Sequence, residues 1–220
     1  MRALRSPFSF VILSGYAVGA LALYAGLPRL IPPSWTVSND RTIWIGTVVV
    51  AFFLPTAAAV THALLRGLCV KHPIDEAGSQ DALRMYDAIM LRIAMFLMGV
   101  HAAVLLGLLG VLKGRAWAVE IVPVMLGLTM ISIGNLLPRT RPNLAVGIRT
   151  RRMLSNRALW IRTHRAVGYM VVALGFVIVL SAIAVPPPVG PGMILAIGPV
   201  AIFATWFLVR YCNRQANGDR

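Results

Sequence analysis

Acidic side chains are scarce in this chain. Only 7 Asp and Glu stand against 21 Lys and Arg in 220 residues, and 13% of the residues are charged. No carboxylate lies inside an apolar stretch; Glu120 merely opens one. Acid–base catalysis by paired carboxylates therefore has no residues to run on. Two cysteines, Cys69 and Cys212, give no CxxC pair, and His62, His72, His101 and His164 lie on separate segments. A metal site needs ligands at helical or loop spacing, so none is expected. No serine-nucleophile motif, phosphate loop or dinucleotide fingerprint occurs, which leaves no expected cofactor and points away from an enzyme. Repeats at solenoid or transporter scale are also missing.

What the chain has is apolar sequence. Hydrophobic residues make up 58% of it, and the mean hydropathy is +0.78. A bilayer core roughly 30 Å thick is crossed by about 20 apolar residues. Six stretches reach that length, close to 8–27, 43–65, 88–112, 119–137, 166–185 and 193–211. They are continuous and do not alternate, so they read as helices and not as barrel strands. The expected fold class is an all-α polytopic membrane protein with six transmembrane helices. Arg2 and Arg5 before the first stretch also suit a signal peptide, but the apolar run is longer than a usual signal core, which favours an uncleaved helix.

Positive residues in short loops stay on the cytoplasmic side. Arg66, Lys71 and Arg84 fall in the loop 66–87, eight arginines fall in 138–165, and more sit at both ends, whereas the alternate loops hold only Arg29, Arg41, Lys113 and Arg115. Both termini are thus expected in the cytoplasm, and the protein in a bacterial inner membrane. The bias also accounts for the net charge of +14. Membrane lipids are the expected partner of these arginines. Nucleic acid is not, because the basic residues carry neither aromatic interleaving nor a binding motif. Asp75, Glu76, Asp81 and Asp87 in the loop 66–87 are able to pair with the arginine loop on the same side.

Three ionisable residues fall inside expected spans: His62, Arg92 and His101. Such groups are costly in hydrocarbon and are functional suspects by default. Arg92 is near enough to the boundary to snorkel, and His62 is near the cytoplasmic end of its helix. For His101 two readings stand, a neutral ring bonded to a neighbouring helix and a proton or ligand role. Pro55 and Pro199 fall within spans and are expected to kink them. Gly15 and Gly19 form a small-xxx-small pair suited to close helix packing.

The densest pattern lies between two apolar stretches. It contains Gly134, Asn135, Pro138, Thr140, Arg141, Pro142, Asn143, Gly147, Ile148, Arg149 and Thr150, followed by Trp160, Thr163 and His164. The prolines force the chain out of the helix, Gly147 permits a tight bend, and Arg139, Arg141 and Arg149 are placed to cap helix-end carbonyls. His164 is expected to begin the next helix, within reach of Asn135 or Asn143. Residues 151–161 suggest a basic amphipathic helix lying on the inner head-group layer. Two readings of the loop remain open, a rigid structural turn and a partner-docking surface.

In this order the residues Gly134-Asn135, Pro138, Thr140-Arg141-Pro142-Asn143, Gly147-Ile148-Arg149-Thr150, Trp160 and Thr163-His164 resemble the signature of the SdpI family of bacterial membrane proteins. The resemblance divides the chain into a two-helix amino-terminal region, 1–87, and an SdpI-like four-helix core, 88–220, with its cytoplasmic loop at 138–165. Leu27-Pro28, Ile31-Pro32 and Asn39-Asp40 are similar, in degenerate form, to a two-helix domain that often precedes that core. The resemblance implies immunity to a secreted membrane-active peptide toxin, and signal transduction by holding a cytoplasmic transcription repressor at the membrane. Two alternatives of other classes are a small transporter or permease using His101 and Arg92, and an assembly factor for a membrane complex.

Overall fold

The computed structural model describes residues 6–26, 40–71, 76–112, 116–142, 147–148, 150–184 and 189–218. Among these residues all regular structure is helical: α1 (Pro7–Tyr24), α2 (Asp40–Lys71), α3 (Glu76–Leu108), α4 (Ala116–Gly134), a 3-10 turn (Leu137–Arg139), α5 (Arg151–Ser155), α6 (Arg157–Ala184) and α7 (Val189–Gly218). Five helices contain spans long and apolar enough to cross a membrane: Pro7–Tyr24, Gly46–Gly67, Gln80–Leu108, Glu120–Arg139 with its 3-10 turn, and Arg157–Ala184. In α7 the apolar part among the described residues is the shorter Ile197–Cys212. Residues 27–39, which include Leu27-Pro28, Ile31-Pro32 and Asn39, lie outside the described residues.

Helix ends follow local chemistry. Ser6 caps α1, its hydroxyl accepting the Ser9 N–H at 3.2 Å ahead of Pro7 at the first helical position. At the end of α3, Gly110 takes φ +71°, and the Val111 N–H reaches back to the Leu106 carbonyl at 3.0 Å. This glycine-dependent motif stops the helix at Leu108, short of the 112 expected from hydropathy. The segment 66–87, expected as a loop, is largely helical: α2 runs on to Lys71 and α3 begins at Glu76. Polar helix is invisible to a hydropathy count, which measures only the hydrocarbon-crossing part.

The chain divides into two compact units, residues 1–63 with 93–122, and residues 64–92 with 123–220. In the first, Ala22, Ala51 and Leu105 form the buried centre, surrounded by Val18, Val50, Phe52 and Leu108. Gly19 lets the backbone of α1 approach that of α2, since a Cβ there would run into the Ala51 carbonyl. The expected small-xxx-small pair therefore packs within the chain.

In the second unit α4 and α6 meet through four glycines. A Cβ on Gly127 would lie 2.6 Å from the Gly175 carbonyl oxygen, and one on Gly134 would lie 2.9 Å from that of Gly168. The pairs are seven residues apart on each helix and run antiparallel, so two backbones touch over two turns. Lipid offers no hydrophobic drive for helices to associate, and such close van der Waals contact supplies it instead. Arg92 adds a polar tie in the same unit: its Nε–H donates to Ser132 Oγ of α4 at 2.7 Å, and Nη1 donates to the Ala88 carbonyl at 2.6 Å. The arginine thereby joins α3 to α4.

Candidate functional site

The motif residues converge where α4 ends and α6 begins. After Gly134 the chain tightens into the 3-10 turn, which packs on α6. Backbone bonds from Leu136, Arg139 and Thr140 close it, and the Thr140 hydroxyl donates to the Leu137 carbonyl at 2.7 Å. These bonds from the backbone and Thr140 finish the helix end. Arg139 is exposed, Arg141 pairs with Asp81 at 3.0 Å, and Arg149 lies outside the described residues, as does Asn143. The Arg141–Asp81 pair realises the expected link between the acidic segment and the arginine loop. With side chains 63% and 43% exposed, it is a weak tie.

Trp160 is the centre of the site. It is fully buried, and its indole Nε1–H donates to both the Thr140 carbonyl (3.0 Å) and Thr140 Oγ1 (3.2 Å). His164, one turn further along α6 and 1% exposed, stacks on the indole with ring centroids 4.0 Å apart. Its Nδ1 lies 2.9 Å from the Trp160 carbonyl, so it must be the donor there. Nε2 then accepts the Ile148 N–H at 3.1 Å. A neutral imidazole with the proton on Nδ1 satisfies both contacts, and each ring nitrogen is used. Gly147, at φ +102°, precedes Ile148, and a Cβ at that position would collide with His164 Nε2. The glycine is required twice, for its left-handed backbone and for room beside the ring.

Below this lock, Met153 and Leu159 join Trp160 and Cys212 in a buried apolar cluster. Thr150 caps α5, its hydroxyl accepting the Met153 N–H at 3.2 Å. Asn156, in extended conformation, breaks the helix, and its Oδ1 accepts the Leu159 N–H at 3.0 Å to start α6. The single amphipathic helix expected over 151–161 is thus two helices. Its apolar residues Met153, Leu159 and Trp160 face protein and not the head-group layer, because the turn at Asn156 folds α5 back onto α6.

Two further expectations need correction. His164 does not begin a helix but lies in the second turn of α6, which starts at Arg157. Nor does it bond Asn135, which is exposed; both ring nitrogens are engaged elsewhere. Pro138 packs against Gly168, whose Cβ would lie 2.9 Å from Pro138 Cδ, which explains a proline directly after the helix. Pro142 is partly exposed on the way to the glycine turn. Thr163 is fully buried, and its hydroxyl has no hydrogen-bond partner among the described residues. Gly127, Gly168 and Gly175 escaped notice in the sequence; their seven-residue spacing on two apolar stretches was the available signal.

The remaining intramembrane residues belong to the first unit. His62 stacks on Phe8 at 3.8 Å. His101 is buried against the backbone of Ala51 and Gly15, and its Nε2 finds no hydrogen bond among the described residues. Pro55 has no N–H to give the Ala51 carbonyl one turn earlier, so the ring lies beside a carbonyl that the proline leaves open. Among the described residues no three His, Cys, Asp or Glu come together as metal ligands. Cys212 is a free, buried thiol.

Helices of this number, length and apolar character make the chain a multi-pass helical membrane protein. Within it, residues 139–210 match the model of the SdpI/YfhL protein family, a family of membrane immunity type. The match takes in the arginine turn, the lock and most of α6 and α7; Gly134, Asn135 and Pro138 lie just ahead of it. No curated protein and no solved structure matches the chain.

Proposed function

We propose that the chain is a non-enzymatic immunity or signalling receptor of the SdpI type in a bacterial inner membrane, with both termini cytoplasmic. It would protect its cell from a secreted membrane-active peptide and hold a cytoplasmic repressor when that peptide is bound. The supporting observation is the lock itself. Trp160, His164, Thr140, Gly147 and Ile148 spend their polar groups on one another, leaving none aimed outward for catalysis. What they hold is a turn whose exposed positions, Arg139, Arg141 and Arg151, face solvent. A rigid frame presenting a basic surface suits recognition of a partner.

The test is survival of a toxin-sensitive strain expressing the chain, challenged with a panel of secreted membrane-active peptides. Protection is expected against at least one peptide, and His164→Ala, inserted at normal levels, is expected to lose it. Absence of protection across the panel overturns the immunity reading. Capture of the repressor is tested separately, by membrane recruitment of the product of a neighbouring regulator gene.

A second reading, a small transporter, is favoured by one observation: the buried, unpartnered Nε2 of His101 inside a span. It requires that His101→Ala abolish flux while the arginine turn tolerates neutral substitution.

A further inference from the structure

The outward side of α6 is graded along its length. Its exposed positions are Arg157, Ala158, Arg162 and Arg165, then Tyr169, then Ala173, Phe176, Val177, Leu180, Ile183 and Ala184. Charge gives way to one aromatic and then to hydrocarbon without interruption. From Arg165 to Ile183 the rise is roughly 27 Å at 1.5 Å per residue, close to the thickness of a whole bilayer core, so the share of one leaflet ends about halfway, near Phe176. This is the order in which a lipid presents its own parts: phosphate, ester level, acyl chain.

At the basic end the surface is concave, lined by Ala158, Ile161, Arg162, Arg165, Ala166 and Tyr169. The small side chains of Ala158 and Ala166 form the hollow, and the two arginines flank it. Tyr169, 66% exposed, closes it on the membrane side.

The neighbouring helix sets the depth independently. Cys212 of α7 packs with Leu159 and Trp160 of α6, so the two helices are in register there. At the matching level α7 carries Trp206 with the Arg210 guanidinium 4.2 Å from its ring centroid. Aromatic and basic residues at one depth on adjacent helices mark the head-group boundary.

We infer that this hollow on α6 is a binding site for a single anionic phospholipid. Arg162 and Arg165 hold the phosphate, Tyr169 lies at the ester level, and the acyl chains run down the first half of the apolar stripe, past Ala173 and Phe176. The occupant is a lipid and not a soluble anion, because the hollow between the two arginines is lined mainly by apolar surface and opens directly onto an apolar helix face. The inference stands on the membrane class alone and does not depend on the immunity reading.

The experiment is native mass spectrometry of the full-length, delipidated protein titrated with phosphatidylglycerol or phosphatidylcholine. Phosphatidylglycerol should be retained preferentially, and Arg162→Gln with Arg165→Gln should weaken its retention about tenfold or more. The pair Arg84→Gln with Arg139→Gln, both exposed, on other elements than α6 and not lining the hollow, removes the same charge and should change it little. Arg162→Lys with Arg165→Lys should keep most of the preference and shows that loss in the glutamine pair is not misfolding. Equal weakening by both glutamine pairs, no preference between the lipids, or displacement by millimolar inorganic phosphate would each overturn the site.

Discussion

The two units treat a buried histidine in opposite ways. In the second, His164 has a partner for each ring nitrogen and a tryptophan against its face. In the first, His101 is as deeply buried, yet its Nε2 has no partner among the described residues. The glycines divide less cleanly: those of the second unit abut backbone across the α4–α6 contact, and in the first Gly19 abuts the Ala51 carbonyl in the same way, while Gly15 faces the Met98 thioether and the Pro55 ring. Each unit holds one buried polar atom without a partner among the described residues, His101 Nε2 in the first and Thr163 Oγ1 in the second, so the contrast rests on the histidines. The satisfied His164, with Trp160 and Gly147, lies within residues 139–210 matched by the family model.

The sharpest way to break the contrast is at Trp160. Trp160→Ala should cost about 3–5 kcal/mol, as for a large buried aromatic, and should release α5 from α6. Unfolding in mixed micelles measures it, and a loss under about 1 kcal/mol would refute the central role of the indole. Next come the glycines. Gly175→Leu forces side chain into backbone and should cost about 1–3 kcal/mol or more, while Gly15→Ala should be near neutral because Met98 can move aside. Similar costs for both would erase the difference between the units.

The histidines sharpen the same comparison. His164→Leu strands the Ile148 N–H and should destabilise by about 1–3 kcal/mol, whereas His101→Leu, which removes one unpartnered nitrogen along with the ring beside the open Ala51 carbonyl, should cost less. Thermal melting of the two variants side by side decides it. Gly147→Ala, strained at φ +102°, should cost about 1–2 kcal/mol and speed hydrogen exchange at the Ile148 amide. The smallest effect is expected at Asp81→Asn, at most about 1 kcal/mol and fading as salt is raised.

Much of the fold was legible because hydrocarbon imposes a length rule, and apolar runs obey it. The motif was legible as a place: Gly147, Trp160 and His164 were all marked by type and spacing. Their partners were not. That His164 takes the Ile148 amide and not Asn135 depends on a turn held by Gly147. Asn156 breaks the expected amphipathic helix by giving the backbone a side-chain bond, a choice that periodicity cannot foresee when the flanking residues alternate so well. Helices also outran their apolar cores at 66–71 and 76–87, because polar helix carries no hydropathy signal.

That this chain is helical and crosses a membrane several times follows from its sequence, since burial of backbone in lipid leaves few other solutions. Tertiary structure alone decided which glycines touch, which ring nitrogen accepts which amide, and that Met153 and Trp160 turn inward to Cys212 while Arg162, Arg165 and Tyr169 turn outward. Those outcomes depend on the rotation of each helix about its axis and on single turns. Composition does not encode either; close contacts a few ångströms long select them.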